Sequence, residues 1–371
     1  MRKIGLIVLL IVFGTAMIGG WKFLHPPMPP LRAELTGAME PIDARTGIYA
    51  KEDGSRWQIV PGLDGGFYIM RVDLWDAATQ APPERLESFN VNEGLMRLAE
   101  QPYEISPVEA QNGVTLAGWM FEPAEPVGRG IVILHGSGNS DRSNSWYAVL
   151  AHTLAEKGYT VILPDKRGSG RSGGDWREAP LTTLAEDGAA WMDALRELRP
   201  EVSSVGFLGV SQGGMIAPEA ARLAKADFAV VLSATSTSLQ QQLELEIRND
   251  IANSGAPKLM VPLLTKIYAM RAKGRFEEFW RVNEDYEMMR EWERWRGPLF
   301  IGSGADDEFQ FIPVKASTAI LERDYADAPD VTWRVYDGVR HSLMYQEGPD
   351  KNRFHRGFLS DLFDWLSQQA G

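Results

Sequence analysis

The sequence predicts an α/β fold, a mostly parallel sheet with helices on both faces, carrying a helical cap insertion and preceded by a small β-rich module. Three observations predict it. From about residue 105 onward, short apolar runs alternate with segments of helical periodicity, the pattern of βαβ units. Residues 235–297 interrupt that rhythm with helical patterns alone. Before residue 105, β-type runs follow one another separated by turn signals instead of helices.

The βαβ series is read element by element. GIVILHG (130–136) is a continuous apolar run closing in a glycine loop, as expected for a strand buried on both faces. WYAVLAHTLAEKG follows as a helix, with Tyr147, Leu150, Ala151 and Leu154 at helical spacing and Gly158 at its end. YTVILPD is the next strand, and a helix runs from about Thr182 to Leu198, closed by Pro200. SSVGFLGV (203–210) leads into GGMIAPEAARLAK, and FAVVLSA (228–234) is again a strand. PLFIGSG (298–304), a helix over about 314–323, VTWRVYDG (331–338) and a last helix from about Arg353 to Gln369 complete the series. In the insertion, Phe276, Phe279, Tyr286 and Met289 share one face, with Glu and Arg on the other. These apolar residues read first as packing of the insertion onto the core; several facing a pocket would imply a substrate with an apolar part.

In the early module, IYA, RWQIV and FYIMRVD are β-type runs divided by Asp53-Gly54 and Asp64-Gly65-Gly66, which suits an antiparallel meander. The stretch PPERLESFNVNEGLMRLAEQ (82–101) fits a helix. The division expected is therefore 1–24, an N-terminal signal anchor or signal peptide; 25–104, linker and β-rich module; and 105–371, the α/β domain with its insertion.

Composition excludes several functions. The net charge of −12 and the lack of any Lys/Arg-rich run argue against nucleic acid as a partner. With no cysteine and five scattered histidines, neither thiolate chemistry nor a zinc site is expected, and no cofactor or metal is called for. Arg2 and Lys3 precede Ile4 to Trp21, an uncharged run that as a helix would be roughly 27 Å long. That exceeds the usual apolar core of a signal peptide, so a membrane anchor is favoured over a cleaved signal, for which Gly14 and Ala16 would be the small residues. Either way the rest of the chain is expected to be exported, membrane-anchored if the segment stays and secreted if it is removed. HPPMPP (25–30) then reads as a stiff spacer.

Two G-x-S-x-G matches compete for the role of nucleophile: Gly170-Arg-Ser172-Gly-Gly174 and Gly209-Val-Ser211-Gln-Gly213. A nucleophilic serine needs a sharp strand-to-helix turn that holds its oxygen out. Ser211 has a strand before it and a helix after it. Ser172 has neither and reads as a flexible loop serine, at the end of a loop that shapes the pocket through Arg167 or Trp176. In folds of this kind the acid and the histidine follow the serine in that order at the ends of later strands. His341, beyond VTWRVYDG, is the histidine in that position, whereas His135 at the first glycine loop reads as a brace. Asp306 and Asp307 after PLFIGSG are not separated by this reasoning.

Taken together, HGSGNSDR (135–142), DKRGSGRSGG (165–174) and GVSQGG (209–214), in this order, resemble the α/β-hydrolase superfamily, and within it the bacterial carboxylesterases with an HGSG loop. The resemblance covers the chain from about residue 105 and leaves out 25–104. It implies the α/β-hydrolase fold and a Ser211, Asp307, His341 triad, the acid in a G-x-x-D turn from Gly304. It also implies an oxyanion hole from the backbone N–H groups of Ser137 and Gln212. The expected function is an exported or anchored serine hydrolase acting on a small-molecule ester through an acyl-enzyme. A serine aminopeptidase or other peptidase of the same fold is the alternative, for which Glu277, Glu278, Glu284 and Glu287 are candidate amino-group ligands, although they read first as a solvated helix face. A catalytically silent binding protein on the same scaffold is the third reading.

Overall fold

The computed structural model describes residues 23–28, 46–61, 67–73, 77–78, 84–86, 96–346 and 354–369. The apolar run at the N-terminus, the Asp64-Gly65-Gly66 turn and the last two residues of HPPMPP, Pro29 and Pro30, lie outside them. Among the described residues no helix is long and apolar enough to cross a membrane.

The first sheet is antiparallel. Strands β1 (Gly47–Ala50), β2 (Arg56–Pro61) and β3 (Phe67–Asp73) form a meander in which Tyr49 pairs with Trp57 and Ile59 with Ile69. At the first turn the Gly54 N–H donates to the Lys51 carbonyl, and Asp53 accepts from the Ser55 N–H. Short strands β4 (Ala77–Ala78) and β5 (Glu84–Leu86) pair with β3, and β6 (Met96–Arg97) pairs with β1. The helix expected over 82–101 is thus replaced, in its described part, by strands. The open edges of β3 and β1 offer backbone partners, and that pairing outweighs local helix preference.

The second sheet holds the α/β domain. Antiparallel β7 (Tyr103–Gln111) and β8 (Thr115–Pro123) turn at Gly113 and form one edge. Then follow β9 (Arg129–Leu134), α1 (Ser145–Glu156), β10 (Thr160–Pro164), α2 (Leu181–Leu198), β11 (Ser204–Val210), α3 (Gln212–Ala224) and β12 (Phe228–Leu232). Four helices come next, α4 (Leu239–Asn253), α5 (Val261–Arg275), α6 (Glu277–Asn283) and α7 (Met288–Arg294). The chain ends with β13 (Leu299–Gly304), α8 (Val314–Tyr325), β14 (Val331–Tyr336) and α9 (Arg356–Gln368). The strand order is β14-β13-β12-β11-β9-β10-β8-β7, parallel from β14 to β10 and antiparallel beyond. Strands β9 to β12 are buried along nearly their whole length because helices cover both faces. Helices α1 and α9 pack on one face; α2, α3, α7 and α8 supply the core on the other.

Two further features position the site. The cap helices α4–α7 connect β12 to β13, and Trp292 of α7 donates through Nε1 to the Met215 carbonyl of α3, fastening the cap beside the β11–α3 turn. The first sheet shares the core of the second through Ile48, which clusters with Tyr103, Trp119 and Phe121. Arg56 of β2 also ion-pairs with Glu156 at the end of α1, 2.8 Å apart. Beside that pair, the Tyr103 hydroxyl is 2.6 Å from Nδ1 of His152, which is buried in α1. Tyr103→Phe removes this buried hydrogen bond while keeping the ring, and is expected to lower stability by about 1 kcal/mol in urea denaturation followed by tryptophan fluorescence.

Candidate active site

The C-terminal ends of the parallel strands converge on a cleft of about 450 Å³, where open α/β sheets place their ligands. Ser211 is the residue between β11 and α3, with φ 54° and ψ −120°. A left-handed φ at a serine is uncommon and costs on the order of 1–3 kcal/mol, so it persists only where the surroundings impose it. They do so here by crowding. A Cβ on Gly209 would lie 2.1 Å from the Gly213 carbonyl oxygen, and one on Gly213 would lie 2.1 Å from that of Leu134. Only glycines let β11 turn into α3 against the end of β9.

Asp307 and His341 are carried by the loops after β13 and β14, the two strands at that edge of the sheet. Asp307 lies in a 3-10 turn (Ala305–Phe309) after β13 and is fully buried; its Oδ2 is 2.7 Å from His341 Nδ1. Its Oδ1 accepts from the Phe311 N–H, and the Phe311 ring stands edge-on to the imidazole with 4.9 Å between centroids. Asp306, half-buried, instead ties the two loops through its backbone N–H, which donates to the Val339 carbonyl. Trp146 of α1 holds the histidine loop from the other side, donating to the Ser342 carbonyl. Ser211 and His341 both line the cleft, together with Gly136, Ser137, Asn144, Trp146 and Gln346.

The HGSG loop is pinned on both sides of Gly136. The Gly136 N–H donates to the Tyr147 hydroxyl at 2.7 Å, and the Gly136 carbonyl accepts from Lys166 Nζ at 2.7 Å. That carbonyl belongs to the same peptide group as the Ser137 N–H. Lys166 also donates to Gln212 Oε1 at 2.5 Å and stands 4.8 Å from the Trp176 ring centroid. It has no carboxylate partner among these contacts, and burial pushes its amine down to about 7. No turn or loop hydrogen bond takes the N–H of Ser137 or of Gln212 among the described residues.

His135 sits behind the loop, with Nε2 2.6 Å from the Pro164 carbonyl and Nδ1 2.7 Å from the Ser140 hydroxyl. Ser172, the serine of the other G-x-S-x-G match, is fully buried, accepting from the Ala117 N–H and donating to the Asp165 carbonyl. It is therefore no flexible loop serine but a fastener between β8 and the DKRG loop. Asp165 takes the Arg142 guanidinium in a buried ion pair, so HGSGNSDR and DKRG are joined directly. Arg167 points away from the cleft and binds Asp187. Trp176 does line a second compartment of about 420 Å³, which adjoins Ser211 under the cap and is walled by Met215, Leu243, Phe276 and Phe279.

The fold itself and its relatives agree. A model of the serine aminopeptidase family S33 matches residues 126–279. An uncharacterised protein of Mycobacterium tuberculosis is 32% identical over 134 residues, 36% of this chain and 46% of that protein. Esterase EstD of Thermotoga maritima is 28% identical over 152 residues, 37% of this chain and 35% of the esterase. The chain thus spans less than half the length of these curated relatives. Among solved structures, an esterase of Pyrococcus furiosus superposes with a TM-score of 0.54 at 21% identity, covering 72% of this chain and 92% of that one. Proline iminopeptidase of Mycobacterium smegmatis gives 0.50 at 18% identity, covering 71% and 98%. The chain has the α/β-hydrolase fold.

Within this fold, two polar residues of the cleft were not legible in the sequence. Lys166 stands in a motif but gives no sign of which groups it meets. Glu246, on α4, lines both compartments, and its carboxyl is raised by burial, then by Asp250 and Asp307, while His341 opposes the shift. Of the acidic residues considered for an amino-group site, Glu278 pairs with Arg281 on the surface, and Glu277, Glu284 and Glu287 are exposed away from both compartments.

The buried His135 supplies a prediction on pH. Its pKa is lowered to about 4, first by burial, so the folded chain binds this proton less readily than the unfolded chain. Its stabilising contribution is whole above about 6.5 and is lost as pH falls toward 4, on the order of 3 kcal/mol over that window. Thermal melts of the parent and of His135→Gln at descending pH test this: the variant is expected to lose less stability than the parent between those limits.

Proposed function

We propose that this hydrolase cleaves carboxylic esters through an acyl-enzyme on Ser211. The single observation that carries the proposal is the strained Ser211 turn opening into the same cleft as a histidine held by a buried aspartate. The relatives named as esterases support the bond type. His341 Nε2 takes the proton as Ser211 Oγ attacks the carbonyl carbon, and Asp307 keeps Nδ1 protonated and the ring oriented. The Ser137 and Gln212 N–H groups receive the oxyanion. The imidazolium then protonates the departing alkoxide, and the released alcohol makes way for a water that the same histidine activates to free the acid. Ser211 Oγ has no hydrogen-bond partner among the described residues; its bond to His341 is assigned to the substrate complex, where such contacts tighten.

The two compartments divide the substrate. Because His341 must reach the leaving oxygen, the alcohol lies on its side, among Asn144, Trp146 and Gln346. The acyl chain then occupies the apolar compartment of Trp176, Phe276 and Phe279. The N-terminal apolar segment is proposed to anchor the hydrolase at a membrane, facing the exported side.

A second reading, a serine aminopeptidase, is favoured by the family whose model matches and by Glu246, a carboxyl facing Ser211 with no ion pair among the described residues. Turnover of aminoacyl p-nitroanilides exceeding that of p-nitrophenyl acyl esters, and abolished in Glu246→Gln, would replace the ester reading with this one.

Ser211→Ala is expected to lower kcat on p-nitrophenyl esters on the order of 10⁴-fold or more and to abolish fluorophosphonate labelling, while Ser172→Ala keeps its labelling. Asp307→Asn should cost about 10⁴-fold and Asp306→Asn far less; the reverse order would reassign the acid.

Lys166→Met removes the ammonium that holds the Gly136–Ser137 peptide and Gln212. It is expected to lower kcat about tenfold or more with little change in KM, and to weaken inhibition by a trifluoromethyl ketone in parallel, as for partial loss of oxyanion stabilisation.

A further inference from the structure

We infer that the outer face of cap helix α5 is a docking surface for an anionic lipid bilayer, the one into which the chain's own N-terminal segment inserts. The inference does not depend on which bond the site cleaves. It starts from a local contradiction in charge. The chain carries a net charge of −12, yet residues 251–276 contain Lys258, Lys266, Arg271, Lys273 and Arg275 and no acidic residue. Interleaved with these cations are apolar side chains left in water: Leu259 is 91% exposed, Leu263 54% and Met270 57%. Leu263, Lys266 and Met270 follow i, i+3, i+7 spacing and so share one face, while the residues α5 buries, Thr265 and Ala269, lie on another. Large apolar residues left in water among cations, on a helix with little of itself in the core, mark a surface for something outside the described residues.

The second observation says what covers that face. Phe23 is docked on this same helix: its carbonyl accepts from Arg271 Nη1 at 2.7 Å, and its ring lies under the guanidinium at 4.4 Å and edge-on to Tyr268. Leu24 follows against Gly274, where a Cβ would come within 2.2 Å of the Leu24 carbonyl oxygen. The uncharged run of residues 4–21 ends two residues before Phe23. Two extended residues span at most about 7 Å, so if that run lies in a bilayer, α5 is held at its surface. The anionic headgroups of such a surface match the cations of α5, each contributing to attraction within the Debye length. On its inner side the same helix and the residue after it, through Ala272 and Phe276, wall the apolar compartment beside Ser211. Docking would therefore set the mouth of that compartment against the lipid, the source of an apolar substrate.

The lack of cysteine makes the test direct. The full chain carrying Leu263→Cys is labelled with an environment-sensitive fluorophore and reconstituted into vesicles of phosphatidylcholine with or without phosphatidylglycerol. Val335→Cys, an exposed site on β14, serves as the reference. The expected result is quenching by nitroxide-bearing lipid several-fold stronger at 263 than at 335, increased by phosphatidylglycerol and reduced at least twofold by Lys258→Glu with Lys266→Glu. Equal quenching at the two sites overturns the inference. So does lipid-independent crosslinking of two chains through Leu263→Cys, which would assign the face to a second copy. Insensitivity to the paired lysine substitutions overturns it as well, because a purely apolar contact would not select anionic lipid. Surface positions are used throughout, and fluorophosphonate labelling of each variant reports whether Ser211 is intact, so failure of the site and failure of the docking surface are read separately.

Discussion

The structure depends on how little room there is between the end of β11 and the start of α3. Gly209, Ser211 and Gly213 must pass within van der Waals contact of each other's backbone and of the Leu134 carbonyl at the end of β9. No relaxed conformation of a serine satisfies that path, and Ser211 takes φ 54°. The strain is imposed by a helix buried along most of its length and by strands β9 and β12 on either side of β11, so it is the local turn that yields. The same crowding puts the β9 loop against the turn, since a Cβ on Gly136 would lie 3.3 Å from the Ser211 Cβ. Serine and HGSG loop are neighbours because the sheet leaves them nowhere else to go.

Two buried cations then fix what crowding alone would leave loose. Arg142 is neutralised by Asp165, which also accepts from the Arg171 N–H, so the loops after β9 and β10 close on one carboxylate. A Cβ on Gly170 would lie 2.4 Å from that carboxylate, which is why a glycine stands there. Lys166, one residue on from Asp165, donates among the described residues to the Gly136 carbonyl and the Gln212 side-chain amide oxygen and stands against the face of Trp176. An ammonium held by neutral groups in a dry site is poorly stabilised, and its affinity for the proton falls accordingly. The arrangement is costly for folding, yet it aligns the peptide before Ser137 and the side chain of the residue after Ser211 with one atom.

These facts explain what was legible in the sequence. Strands β9 to β13 could be read because burial on both faces leaves an unbroken apolar run. Ser211 could be told from Ser172 because strand and helix flank only the former, yet the loop role of Ser172 was misjudged: its hydroxyl is satisfied by the Ala117 N–H and the Asp165 carbonyl, contacts made across 55 and 7 residues. Strands β5 and β6 were hidden because their pairing with β3 and β1 is a tertiary choice that local composition opposes. Asp306 and Asp307 differ by a rotation within one 3-10 turn, below what spacing resolves. Lys166 and Glu246 were silent for a similar reason, since a charged residue's partners come from remote loops or the cap.

The cap brings opposite electrostatics to its two sides. Inward, α4 places Glu246 where it is partly withdrawn from water and faces Asp307 as well as His341; its carboxyl is raised, so it approaches neutrality more readily than a surface glutamate. Outward, α5 gathers cations that the acidic body of the protein does not pair, since the acids that follow on α6 and α7 bind arginines of their own helices, Glu278 with Arg281 and Glu291 with Arg294. A cation-rich helix set apart in this way keeps its field for something outside the chain. Ala272 of α5 and Phe276 just after it also line the compartment beside Ser211, so the helix that carries the outer cations forms part of that compartment's wall. Charge on one side of the cap and chemistry on the other are thus coupled by a single helix.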